Sequence, residues 1–79
     1  MHLKIISLKG IQFDGEAVSV NAKTASGEIT VLDHHRPLIT VLAEGNIAVT
    51  DPAGAVSRIP IVSGFLEVDI SHDVTVLAD

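Results

Sequence analysis

The sequence predicts an all-β fold: a small sandwich or flattened barrel of about eight to ten short, mostly antiparallel strands. Three observations predict it. Apolar and polar residues alternate with a period of two in several windows, β-branched residues are abundant, and turn-forming dipeptides recur at short intervals. No window of helical length keeps a polar face at a period of about 3.6 residues.

Taken in order, Leu3 and Ile5 point opposite His2 and Lys4, and Lys9-Gly10 marks a first turn. A second turn is expected at Asp14-Gly15. Val18, Val20 and Ala22 then share one face while Ser19 and Asn21 share the other, up to a turn at Ser26-Gly27. The stretch Asp33 to Pro37 and the stretch Glu44 to Asn46 read as connections, and Ile47 and Val49 alternate with Ala48 and Thr50. In Asp51-Pro52-Ala53-Gly54 the proline is second and the glycine fourth, which suits a type I turn closing a hairpin. Pro60 lies within an apolar run and lacks an N–H for a ladder, so it is expected at an edge or a bulge. After a bend at Ser63-Gly64, Leu66, Val68 and Ile70 alternate with Glu67 and Asp69, and Ser71 to Asp73 turns the chain into its last strand. No repeat, linker or low-complexity segment interrupts residues 1–79, which read as a single domain.

Composition bounds the function. A core built from 79 residues rarely contributes more than about 3–5 kcal/mol of net stability, and the absence of cysteine excludes disulfides. Yet 47% of the chain is hydrophobic, mostly aliphatic, with Phe13 and Phe65 the only aromatics. Part of that apolar surface is therefore expected to face a partner. The net charge of −5, with Lys4, Lys9, Lys23, Arg36 and Arg58 scattered, leaves no basic stripe for phosphates and no aromatic platform for bases. Apolar runs such as Leu38 to Ala43 fall far below the ~20 residues that span a bilayer, and the N-terminus shows no signal-peptide core. A soluble, cytosolic protein is the expectation.

No constellation points to catalysis. His34-His35 beside Asp33 would bind a metal only from a loop, because neighbours on a strand face opposite ways, and no spaced histidine pair exists. The carboxylates are spread among turns, no strand-to-helix elbow surrounds a serine, and the glycines form no phosphate loop. No metal, cofactor or catalytic residue is expected. One second reading stays open: acidic all-β carrier domains of lipoyl or biotinyl type present a modified lysine on a hairpin, and Lys23 is placed after a strand and near a turn.

Four segments, in order and near matching spacing, carry a family resemblance: Phe13-Asp14-Gly15-Glu16, Gly27 to Leu32, Asp33-His34-His35-Arg36-Pro37-Leu38-Ile39-Thr40, and Ser63 to Val68, followed by Val74 to Asp79. Together they make the chain resemble the N-terminal β-sandwich domain of the ATP synthase epsilon subunit, in a short form without the C-terminal helical hairpin. The resemblance implies a non-catalytic rotor part of the central stalk, joining the gamma subunit to the c-ring during proton- or sodium-driven ATP synthesis. It implies a peripheral position on the cytoplasmic side of the inner (plasma) membrane. By position, Glu28 and His35 would face the c-ring from one end of the sandwich, and Ser7 and Thr40 would face gamma. Thr30 stands where the family has glycine, and Asp33-His34 where it has Pro-Gly, so this loop departs from the family pattern.

Overall fold

In the computed structural model, which describes residues 1–79, nine strands follow one another without a helix: β1 (His2–Ser7), β2 (Gly10–Glu16), β3 (Ser19–Thr24), β4 (Gly27–Leu32), β5 (Leu38–Leu42), β6 (Gly45–Thr50), β7 (Val56–Ile61), β8 (Gly64–Val68) and β9 (Val74–Ala78). They form one continuous sheet, β2-β1-β9-β8-β5-β3-β6-β7, with β4 on the side of β3. At the β5–β3 junction only Thr24 and Leu42 are paired. The sheet folds back there into two layers, β2-β1-β9-β8-β5 over β4-β3-β6-β7. All pairings are antiparallel except that of β1 with β9.

The period-two pattern sets what lies between the layers. Leu3, Ile5, Leu66, Val68, Val74 and Val76 project from the first layer, and Val20, Ala22, Val31, Ile47 and Val49 from the second, all essentially buried. No polar side chain is buried, so the interior between the layers is packed by apolar side chains, almost all of them aliphatic. Burying one such side chain contributes about 1.5–3 kcal/mol, so the loss of one or two contacts approaches the net stability of a domain this size.

Most expected turns are present. Gly54 donates its N–H to the Asp51 carbonyl at 2.9 Å, closing the hairpin between β6 and β7, and Pro60 sits on β7 at the sheet edge. Two expectations fail for local reasons. Asp14-Gly15 is not a turn: β2 runs unbroken from Gly10 to Glu16, because Asp14 and Gly15 pair with Lys4 and Leu3. The irregularity in this hairpin is instead a register shift between Ile5 and Ile6. Ile70 does not share the inward face of Leu66 and Val68. β8 ends at Val68, and Ile70 is carried into the next turn, 85% exposed. The Asp69 carboxylate accepts from the N–H groups of Ser71 and Asp73, and this local closure ends the ladder before Ile70 is reached.

Strand direction gives the sandwich two distinct ends. One carries the Leu8-Lys9, Ala25-Ser26, Ala43-Glu44 and Val62-Ser63 turns together with Asp79. The other carries Met1, the Ala17-Val18 link, the Asp33 to Pro37 loop, the Asp51 to Ala55 turn and the Asp69 to Asp73 turn.

Candidate protein-docking site

The two outer faces differ in kind. On the second layer, Asn21, Thr30, Arg58, Lys23 and Glu28 are turned to solvent, with Asn21 donating to the Thr30 hydroxyl at 3.0 Å. On the first layer, the registers align Val41 with Phe65, Phe65 with Leu77, Leu77 with Ile6, and Ile6 with Ile11. That is an apolar row across all five strands. Val41, Phe65, Leu77 and Ile11 are each more than half exposed. In the adjacent row Ile39, 70% exposed, is followed by Glu67, Thr75, Lys4 and Asp14. An apolar band of this extent on so small a domain marks a surface for association.

Sequence reasoning did not single out this band, although two signals for it exist. Leu38-Ile39-Thr40-Val41-Leu42 and Ile5-Ile6 are apolar on both faces of their strands, as in strands covered twice. The surplus aliphatic content pointed the same way without locating the surface.

The residues predicted for contact are scattered around the body rather than gathered. Glu28 is exposed at the start of β4, opposite Lys23, beside the Ala25-Ser26 end. His35 lies in the loop after β4, at the other end. Four residue steps along β4 carry the chain from Glu28 to Leu32 alone, about 13 Å at ~3.3 Å each, so Glu28 and His35 do not share one end of the sandwich. His35 is half-buried. Its N–H donates to Leu32 O at 3.3 Å, and its Nδ1 donates to Arg36 O at 2.7 Å, fixing the tautomer in which Nδ1 carries the proton. His34 and His72 stack beside it.

Ser7, at the end of β1, closes its own hairpin: its hydroxyl accepts from Lys9 N–H at 3.1 Å and from Gln12 Nε2 at 3.0 Å. It lines an open groove of about 300 Å³ whose other walls include Leu8, Ile59 and Ile61. Thr40 is half-buried on β5, on the opposite side of that strand from Ile39 and Val41. Beyond the Thr24–Leu42 pair, β5 has no ladder partner except β8, so Thr40 lies along an open strand margin. Lys23 does not fit a carrier lysine. It stands within β3, its chain packed against Gly45, while Ala25 and Ser26 occupy the hairpin tip where a modified lysine would have to be.

At the end holding His35, the Met1 ammonium donates to the Asp33 carboxylate and to Ala17 O at 2.9 Å, with Glu16 at 3.5 Å. The hydrogen bond to Asp33 holds the amine above its ordinary value and the same bond holds the Asp33 carboxyl below its own. His2 Nε2 lies 2.8 Å from Asp14. No three His, Asp or Glu side chains converge as a metal site requires.

Fold and surface define the class: a two-layer β-sandwich domain with an apolar row across one outer face and a mostly polar opposite face. The chain belongs to the family of the ATP synthase, Delta/Epsilon chain, beta-sandwich domain, whose model matches residues 1–79. It is 38% identical over 79 residues to the ATP synthase epsilon chain of Acinetobacter baylyi, covering all of this chain and 56% of that one. It is 33% identical over 78 residues to the ATP synthase epsilon chain of Micrococcus luteus, covering 99% of this chain and 84% of that one. The chain thus spans about half the length of the Acinetobacter relative. In fold it is similar to a chain in the cryo-EM structure of the Euglena gracilis mitochondrial ATP synthase, OSCP/F1/c-ring, with a TM-score of 0.89 at 23% identity, covering 96% of this chain and 48% of that one.

Proposed function

We propose that this domain is a non-catalytic central-stalk (rotor) part of an F1Fo ATP synthase, coupling the gamma subunit to the c-ring during proton- or sodium-driven ATP synthesis. Family membership over the whole chain is the observation that carries this reading. The structure supports it mechanically. Torque transfer needs a stiff body with separate adhesive surfaces, and a sandwich with a wholly apolar, closely packed interior meets that need. The domain would work as a single unit, residues 1–79, without a cofactor, as a peripheral part of F1 on the cytoplasmic side of the plasma membrane.

Gamma takes the margins that hold Ser7 and Thr40, and the c-ring takes Glu28 and His35. Because Glu28 and His35 sit at opposite ends of β4, a c-ring contact that includes both runs along the β4 edge and not across an end of the sandwich. Glu28→Lys then reverses one exposed charge in that contact and leaves the core untouched.

The test is affinity capture of the tagged chain from detergent-solubilised native membranes, with mass spectrometry of what is retained. Recovery of gamma, alpha, beta and c subunits is expected, with less c subunit for Glu28→Lys at unchanged circular dichroism. Retention of no stalk subunit by the folded protein would overturn the assignment.

A further inference from the structure

The end of the sandwich that carries Met1 holds every one of the chain's four histidines. His2 lies against Asp14, and His35 directs its Nδ1 proton to the Arg36 carbonyl. His34 and His72 instead stack on each other, 5.3 Å between centroids, and both are exposed to solvent. Neither makes an ion pair. His72 donates from Nδ1 to His35 O, whereas the His34 ring has no acceptor of its own.

The carboxylates at this end are already engaged. Asp33 holds the Met1 ammonium, which also draws Glu16. Asp69 accepts from the N–H groups of Ser71 and Asp73, and Asp51, on the hairpin of the second layer, from those of Ala53 and Ala55. That leaves Asp73 on the turn, against Arg36 on the loop. Of the adjoining strands, β5 and β9 carry no charge and β8 carries only Glu67.

We propose that His34 and His72 form a proton-operated latch between the Asp33 to Pro37 loop and the Asp69 to Asp73 turn. It is closed when the pair has gained no proton or one, and it is opened by the second. Neutral rings attract in an offset stack, and an imidazolium over a neutral ring keeps that attraction. The first proton belongs on His72 Nε2, because the charged ring donates more strongly to His35 O. The second goes to His34, which gains no acceptor and faces a cation across the stack. Two unit charges 5.3 Å apart disfavour the stacked arrangement about fourfold even at the dielectric of bulk water, and more where a protein surface screens less. One unengaged carboxylate, Asp73, does not balance two imidazolium rings and Arg36.

Opening moves a defined segment. His35 stays tied by its N–H to Leu32 O and by its carbonyl to His72, so the rest of the loop holds. The left-handed backbone of His34, with φ of 65°, is one that most side chains leave once nothing holds the ring. Asp33-His34 therefore swings off the turn. An imidazole changes charge between about pH 5 and pH 8, so a partner packed on this end meets a closed surface at the upper limit and a parted, more positive one at the lower. The latch rests on this chain's geometry alone, so it and the stalk assignment can each fail without the other.

Nuclear magnetic resonance of the isotope-labelled 79-residue chain, from about pH 8 to about pH 5, tests it. The Overhauser contact between the two rings should be lost toward the acid limit, with the ratio of parted to stacked rings up about fourfold or more. The backbone coupling constants of Asp33 and His34, which report φ, should change with that loss while core methyl signals stay fixed. In His72→Asn, which tolerates the left-handed backbone, His34 still titrates but has no ring to leave. Its coupling constants should then report the parted state at every pH. A ring contact that persists at about pH 5 in the folded chain would overturn the proposal. So would a His72→Asn variant whose coupling constants still change with pH as the parent's do, because His2 or His35 would then drive the change.

Discussion

The imidazoles of His34 and His72 stack with centroids 5.3 Å apart and planes 10° from parallel, and both residues hold left-handed backbones with φ of 65°. The stack joins the loop between β4 and β5 to the turn between β8 and β9. His72 Nδ1 adds a hydrogen bond to His35 O at 3.0 Å. The loop that crosses between the layers and a turn of the first layer are thereby latched at one end of the sandwich, and the latch depends on backbones that most residues resist.

His34→Gly keeps the left-handed backbone and removes the stack, so its losses and gains nearly offset. His34→Val removes the stack and forces a β-branched residue into the same conformation, at a cost of about 1–2 kcal/mol. Urea unfolding of the two variants should therefore separate them by about that amount, with the valine less stable. Equal midpoints would show that the loop relaxes to a right-handed backbone without penalty.

Phe65 and Leu66 are adjacent on β8 and face opposite ways, one 54% exposed and the other wholly buried. Leu66→Ala should cost about 2–5 kcal/mol, comparable with the total stability of a domain of this size. Phe65→Ala should cost under about 1 kcal/mol while weakening association at the aliphatic face. Thermal melts followed by circular dichroism, paired with the capture assay, check both arms. Comparable loss of stability in the two variants would contradict the orientation of β8.

A Cβ added at Gly64 would overlap the carbonyl oxygen of Leu77 and press on the Cα of Ala78, both backbone atoms of β9. Neither neighbour can rotate away as a side-chain tip could. Gly64→Ala should therefore displace the start of β8 and lower stability by about 1–3 kcal/mol, read as a fall in Tm. Gly27→Ala makes no such overlap, and its cost comes from its positive φ alone.

The Met1–Asp33 pair sets a pH window. Asp33 is held below its ordinary value, so its contribution is present above about pH 4 and is lost as pH falls through the lower folded value. The amine is held above its ordinary value, so its contribution is complete below about pH 8 and is lost as pH rises through the higher folded value. Asp33→Asn should accordingly be less stable than the parent at near-neutral pH. The gap should narrow toward both extremes, in urea midpoints at about pH 3, 6 and 9. A gap independent of pH would mean that Asp33 acts through the turn backbone and not through its charge.

The class of fold was legible because its cause is local. Val20 and Ala22 against Ser19 and Asn21, or Leu66 and Val68 against Glu67, show the period of two that a sheet with one covered face imposes. The Asp51 to Gly54 turn was legible for the same reason, since proline and glycine restrict their own backbones. Asp14-Gly15 misled because a pair of turn-forming residues is only a permission to turn, and ladder bonds to Leu3 and Lys4 overrode it. Ile70 misled because alternation continues in sequence past the point where the Asp69 carboxylate closes the turn.

The site was legible only as individual positions. Glu28, His35, Ser7 and Thr40 could be named by likeness to a family, but their distances from one another depend on which way each strand runs. By itself the chain determined its all-β character, its aliphatic core, its lack of disulfides and its family, because these follow from residue type and short-range order. Only the tertiary structure decided that Glu28 and His35 lie at opposite ends, and that Ile6, Ile11, Val41, Phe65 and Leu77 align in one exposed row. Those five residues come from β1, β2, β5, β8 and β9, and no local pattern links them. They meet because non-local pairing, including the parallel β1–β9 ladder, sets the register between strands distant in the chain.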